Sequence, residues 1–217
     1  MTIKASARTR VVRGAKRSIS EQQIIYDILD AAMVCHVGFV MQDYPMVIPT
    51  CQWRDGDKIY WHAHSKAKNI VRTGEQQVCM TVTLLDGIVY ARSAFNHSVN
   101  YRSVMIFGEA REITDVAEKT RQFKLMIDKF SPGRWEQLRP ITATEIKATG
   151  LMALDLTEVS CKIRSDMAVD EPEDVSWPAW AGVLPIERQF GSWQVNADAD
   201  ASYPQPNKPS LGPQGEL

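Results

Sequence analysis

"VCMTVTLLDGIVYARSAFNHSVNYRSVMIFGEA", residues 78–110, carries the reading on which the fold turns. Residues 78–85 and 88–94 read as two strands joined by Asp86-Gly87, the dipeptide that most strongly marks a two-residue hairpin. A polar loop follows, and residues 101–113 form a long hydrophobic strand. Downstream, Asp115 with Glu118 caps a helix that places Val116, Phe123, Met126, Ile127 and Phe130 on one side. "SPGRW" and "RPIT" interrupt the chain, Glu145 starts a short helix, and residues 151–156 and 160–164 make two closing strands.

Upstream of that stretch, Ser20 opens a helix with Gln23 placed to complete a capping box and Ile24, Ile25, Ile28, Leu29 and Met33 on one face. Residues 34–41 form a strand, "QDYP" turns it, residues 46–53 pair back, and "RDGD" (54–57) delivers a third strand over 58–62. A short helix after Ser65 stops at Gly74. Several short strands joined mostly by hairpins, with few helices, predict a mainly β protein, an antiparallel barrel with peripheral helices. No G-x-G-x-x-G or Walker loop occurs, which argues against Rossmann and P-loop nucleotide sites.

Composition bounds the rest. The 217 residues suffice for one sizeable domain, read here as 18–195, behind a basic, flexible arm at 1–17. A mitochondrial presequence is the other reading of that arm. Residues 196–217 are rich in proline, glycine and polar side chains and read as a tail, disordered or draped on a partner. A net charge of −1 gives no field to draw nucleic acid or an anionic membrane, and no apolar run is long enough to span one. Cys35, Cys51, Cys79 and Cys161 are scattered, mostly in apolar strand-like runs, and read as reduced core thiols of a cytoplasmic protein.

Two polar clusters interrupt this apolar pattern. The first is "IYWHAHSKAKNIVRT" (59–73), where His62, His64, Ser65, Lys66 and Lys68 crowd a strand-to-helix junction. Cations at a helix start are disfavoured by the helix dipole unless an anion is bound, so the junction suits a phosphate; a solvated first turn is the plainer alternative. His62 and His64 share a strand face, but companion metal ligands at a recognisable spacing are missing. The second cluster, within 92–110, gathers Asn96, His97, Ser98, Asn100, Tyr101 and Arg102 before a core strand. It suits hydrogen bonds to a heteroaromatic ring and its polar chain, or else a polar hairpin loop. Cys35 and His36 are adjacent on one strand and point to opposite faces, so they form no nucleophile–base pair, and no G-x-S-x-G elbow presents a serine.

"ILDAAMVCHVGFV", "YPMVIPTCQWRDGDKIYWHAHSKAKNIV", "VCMTVTLLDGIVYARSAFNHSVNYRSVMIFGEAREITD", "PGRWEQLRP" and "WAGVLP" together resemble the pyridoxamine 5'-phosphate oxidase-like flavin-binding family, closest to its nitroimidazole-resistance-type branch. The resemblance runs over about residues 10–185. It implies a split β-barrel that forms a homodimer and binds FMN at the subunit interface. Carried over by position, it implies phosphate contacts from Lys68, with Ser65, Lys66 and His62 nearby, and backbone along the flavin ring at Pro49 and Thr50. Tyr101, Arg102 and Ser103 would reach flavin phosphate or ring. Arg102 is expected to offer its fork to the phosphate, with a structural ion pair to a carboxylate such as Glu109 or Glu112 as the alternative. True pyridoxamine phosphate oxidases end in a basic substrate segment, which "ERQFGSWQVN" and the proline-rich tail replace here, so vitamin B6 oxidation is not implied. The implied activity is a flavin-dependent oxidoreductase acting on a small molecule. A flavin carrier or sensor without turnover is the second reading. Some split barrels hold haem or a deazaflavin, and a histidine such as His62 or His64 can ligate haem.

Overall fold

Asp86-Gly87 does not turn the chain. In the structure, a computed structural model that describes residues 6–64, 76–200 and 202–212, strand β5 runs unbroken through it from Gln76 to Tyr90. The irregularity is a bulge between Leu85 and Gly87 in the pairing of β5 with β6 (Ser98–Glu112). The local turn signal loses to two long-range demands. The Asp86 carboxylate receives both prongs of Arg102, at 2.9 Å from Nε and 2.7 Å from Nη2. At Gly87, strand β9 (Gly182–Pro185) comes so close that a Cβ would lie 3.1 Å from the Leu184 carbonyl. The real reversal falls in residues 91–97, where the sequence predicts strand as far as 94.

The remaining elements are β1 (Ser18–Ile19), α1 (Gln22–Ala31), β2 (Val34–Met41), β3 (Tyr44–Asp55), β4 (Lys58–His64), α2 (Val116–Phe130), α3 (Ala143–Ala148), β7 (Thr149–Asp155) and β8 (Glu158–Arg164). Among the described residues, nine strands follow the order β1-β8-β6-β7-β4-β3-β2-β5-β9, all antiparallel in their pairings. Strand β6 also pairs with β5, which closes β6-β7-β4-β3-β2-β5 into a ring. β6 is the seam. Its first part lies against β8, and only Arg111 and Glu112 reach β7. This is the split barrel that the resemblance implies. The expected hairpins at "QDYP" and "RDGD" are present; Gln42 and Asp43 take the positive φ that such a tight turn requires. The predicted short helix between Ser65 and Gly74 lies outside the described residues.

Two cores hold the barrel. The inner one collects Val37, Trp61, Met80, Ile106 and Leu154 with Ile25, Ile28 and Leu29 of α1. The outer one, Trp53, Tyr60, Leu151 and Ala153, is covered by α2 through Leu125 and Met126. Trp53 and Tyr60 stack at 6.0 Å, and the Trp53 indole donates to the buried Gln122 amide oxygen at 2.7 Å. Helix α2 starts as expected, with Asp115 accepting from the Glu118 amide at 2.8 Å. Helix α1 does not use a Ser20 capping box. Ser18 and Ile19 are drawn into pairing with β8, so Glu21 becomes the N-cap without a side-chain bond, and Gln23 donates to Asp27 instead. The carbonyls ending α1, Leu29 and Ala32, accept from the Gln52 amide and the Lys129 ammonium together. That double cap ties α1 to β3 and α2. In α3, Thr142 is the N-cap and Glu145 the third residue of a complete capping box.

The flanking segments touch the barrel. Arg8 pairs with Glu158, and Arg17 with Asp166 at 3.2 Å. Among residues 196–200 and 202–212 there is no helix or strand, and Asn207 donates to the Pro132 carbonyl at 2.9 Å. All four cysteines are free; Cys35 and Cys161 are buried, which pushes both thiols up to about 12. Among the described residues, no helix is long and apolar enough to cross a membrane.

Candidate functional site

Of the nine candidate cofactor residues, the six that lie among the described residues separate onto different faces of the barrel. Ser65, Lys66 and Lys68 lie outside the described residues. Pro49, Tyr101 and Ser103 face outward from the barrel, whereas Thr50 and Arg102, their chain neighbours, take the opposite side because strand side chains alternate. His62 lies elsewhere, on the α2 side of β4.

The outward face is built by register. β2 turns Cys35, Val37 and Phe39 inward and Val34, His36, Gly38 and Val40 out. His36 sits between Pro49 of β3 and Thr81 of β5, and Thr81 opposes Met105 of β6. The next rungs pair Thr83 with Ser103 and Leu85 with Tyr101. Val34, Val40, Val47, Leu85, Val99 and Met105 leave between 39% and 66% of their surface open here. A continuous sheet face of valine, proline, threonine and methionine is unlike ordinary solvated surface, and apolar patches of this kind mark interaction sites. His36 is the one basic side chain in its centre. Sequence reading considers His36 as a partner for Cys35 and misses this placement, although its exposed position in the alternation is the signal.

Arg102 makes the carboxylate ion pair of the alternative expectation, with Asp86 as the partner: the residue is 3% exposed and its guanidinium grips Asp86 bidentately. Asp86 is hidden from a sequence reading because the turn motif claims it first. Nearby, Arg164 donates to Asn100 and to the Asp166 carbonyl, so the polar cluster before β6 is knitted into the fold.

On the other side of the barrel, β4 directs Tyr60 and His62 toward α2. A pocket of about 360 Å³ opens there, walled by Phe123, Met126 and Ile127 of α2 and by Trp135, Leu138 and Ile141 of the loop after it. Its polar groups are His62, Arg139, Glu145 and Thr149. A neighbouring cavity of about 670 Å³ shares the Trp135, Leu138, Arg139 and Ile141 wall. The His62 ring lies 6.0 Å from Trp53, and its Nδ1 is buried without a hydrogen-bond partner among the described residues. Burial lowers the His62 pKa below its ordinary value, so the imidazole is neutral near pH 7. A neutral ring nitrogen in an apolar pocket is a potential metal ligand. At the rim, Arg139 meets Glu145 through two bonds of 3.0 and 2.5 Å, which hold the Glu145 carboxyl down to about 2. Sequence reading finds His62 but not this pocket, since α2 and β4 are brought together only by the fold.

The sequence matches the profile of the family described as pyridoxamine 5'-phosphate oxidase over residues 21–163. The chain belongs to that family. No curated protein matches it. Among solved structures, it is similar to the flavocytochrome Anf3 from Azotobacter vinelandii, at 41% identity and a TM-score of 0.89, over 93% of this chain and 94% of that one. It is also similar to the FAD and heme binding protein from Mycobacterium smegmatis, at 30% identity and a TM-score of 0.84, over 91% of this chain and all of that one (100%). A proposed 5-nitroimidazole antibiotic resistance protein from Bacteroides thetaiotaomicron shares the fold at 20% identity and a TM-score of 0.56, over 67% of this chain and 86% of that one. The split barrel is therefore common to all three, while the first two match more than nine-tenths of this chain, 93% and 91%.

Proposed function

We propose that this protein is a flavin-dependent oxidoreductase whose flavin lies between two copies of the chain, against the outward sheet face. The observation that carries the reading is that face itself: rich in exposed apolar side chains, with His36 at its centre, and the place where Pro49, Tyr101 and Ser103 lie on the outward side of neighbouring strands. A second copy would cover it, and a flat heteroaromatic ring fits between two such sheets. Once bound, flavin supplies the electron-transfer chemistry; the chain supplies placement and a water-excluding wall. Arg102 acts indirectly in this reading, by fixing Asp86 and the β5 bulge beneath Leu85 and Tyr101. Lys68, with Ser65 and Lys66, is assigned the phosphate. The family reading favours FMN; the Mycobacterium smegmatis protein is described as binding FAD, and extraction of the bound flavin with mass analysis separates the two. The four free thiols suit a reducing cytoplasm.

A second cofactor is supported by a separate observation. The two long relatives are described as a flavocytochrome and as a heme-binding protein, and the residues of the His62 pocket fit such a group. They offer a half-buried neutral imidazole whose buried Nδ1 has no hydrogen-bond partner among the described residues, apolar walls and a cation at the rim. In this reading His62 would hold the haem through its ring nitrogen, and haem would supply one-electron chemistry.

The visible absorption spectrum of the purified protein tests both assignments. Flavin bands support the first, a Soret band lost in His62→Ala supports the second, and a colourless protein that takes up neither overturns both. Steady-state oxidation of NADH or NADPH by the flavin-loaded protein distinguishes an enzyme from a carrier or sensor. Lys68→Ala is expected to weaken flavin binding about 10- to 100-fold, the value of a charge-assisted phosphate contact. Unchanged retention in a fluorescence titration would remove that lysine from the site.

A further inference from the structure

The His62 pocket is chemically lopsided. Its walls are hydrocarbon and aromatic, from Phe123, Met126 and Trp135, and at its rim stands one guanidinium, Arg139. That guanidinium is held in place. Glu145 grips it through both carboxylate oxygens, and Glu145 is itself fixed by the Thr142 amide and hydroxyl, each at 2.8 Å. Nη1 and Nη2 of Arg139 make these bonds and a 3.1 Å contact to the Pro140 carbonyl. A guanidinium has five N–H donors in a planar fork, so donors remain for a second anion, and the side chain is 68% exposed at the mouth. An arginine can bridge two carboxylates in this way, because its charge is spread across both edges of the plane.

We infer that Arg139 anchors a free carboxylate of the pocket's ligand, so that the pocket selects flat apolar molecules bearing an acid group at the end opposite His62. This rests on the haem reading above, for which the acid is a propionate. Glu145 is a positioning residue: it fixes the direction of the fork and costs the incoming carboxylate some repulsion, which favours an anion that meets the outer edge of the plane. An uncharged ligand of the same shape gains nothing from Arg139.

The test is a titration of the full-length protein, depleted of haem, with hemin and with hemin dimethyl ester, followed by the Soret band. Wild type is expected to bind hemin about tenfold more tightly than the ester, the size of one charge-assisted contact. Arg139→Gln should lose that tenfold for hemin and leave the ester unchanged, and Arg139→Lys should recover part of it. Equal affinity of wild type for acid and ester, or unaltered hemin binding by Arg139→Gln, overturns the inference. Failure of wild type to bind either compound, or a Soret band indifferent to His62→Ala, instead rejects the haem reading and the inference with it. Arg139 is exposed, so its substitution leaves the barrel folded, as far-ultraviolet circular dichroism verifies.

Discussion

The two halves of the barrel treat their outward faces in opposite ways. On β3, β4 and β7 the outward row of Trp53, Tyr60, Leu151 and Ala153 is buried beneath α2 of the same chain. On β2, β5 and β6 the outward row mixes Val34, Val40, Leu85 and Met105 with His36, Thr81, Thr83 and Ser103, and these apolar side chains stay 39–54% exposed. Burial of apolar surface stabilises by roughly 25 cal/mol per Å² wherever it occurs, so the first half spends its apolar face on folding, and in the reading proposed above the second keeps its apolar side chains for association. The covered half carries a pocket lined by the half-buried His62. The open half, in the proposed reading, is the interface, with His36 in its centre.

Substitutions at matched positions should therefore part the two halves. The largest effect belongs to Trp53→Ala. It deletes a buried ring and leaves the buried Gln122 oxygen without its donor, and should cost about 3–5 kcal/mol of stability in denaturant unfolding. Assembly of the molecules that remain folded should be unaffected. Val47→Arg on the open face should do the reverse. A charge placed in the interface, and repeated by symmetry, should weaken self-association at least about 100-fold, while unfolding of the dilute single chain changes by less than about 0.5 kcal/mol. Should Trp53→Ala dissociate the protein, or Val47→Arg unfold it, the contrast drawn between the halves fails.

A smaller effect comes from Lys129, whose ammonium caps α1 from α2. Burial lowers its pKa to about 8, below that of the same lysine in the unfolded chain. Between about pH 8 and the ordinary lysine value the unfolded state holds a proton that the folded state does not. Stability from this group therefore rises with pH across that window and is flat below it. Cys35 and Cys161, raised to about 12, act oppositely: they stay protonated in the folded chain while unfolded thiols ionise, so their contribution falls as pH rises above about 9. Lys129→Met isolates the first term. Comparing urea unfolding of wild type and Lys129→Met at pH 8 and pH 10, the wild type should show a relative gain on the order of 1 kcal/mol at the higher pH. An identical pH dependence in both proteins would show that Lys129 is not depressed.

Much of this organisation is legible in the residues, because it is local. The alternation of β2, the turns at "QDYP" and "RDGD" and the Asp115 cap each depend on neighbours in sequence. Asp86-Gly87 is misread for the opposite reason. Its turn chemistry is genuine, but Arg102 lies 16 residues further on and β9 arrives from almost a hundred residues away to occupy both positions. Ser20 loses its capping role to the pairing of β1 with β8 in the same manner. For the site, His62 is conspicuous in sequence, while Phe123, Trp135 and Arg139 become its neighbours only once α2 is laid on β4. Arg102 shows the limit most clearly: a buried arginine announces a partner, and the sequence does not say whether that partner is a phosphate or Asp86.

The claim that the open face is where two copies meet around a flavin is tested most directly by light scattering with in-line visible absorbance, on the flavin-loaded protein across a dilution series. The account predicts flavin absorbance travelling with a species of twice the 24.5 kDa chain mass, and loss of flavin in step with loss of that species on dilution. Flavin absorbance that stays with a single 24.5 kDa chain would contradict it.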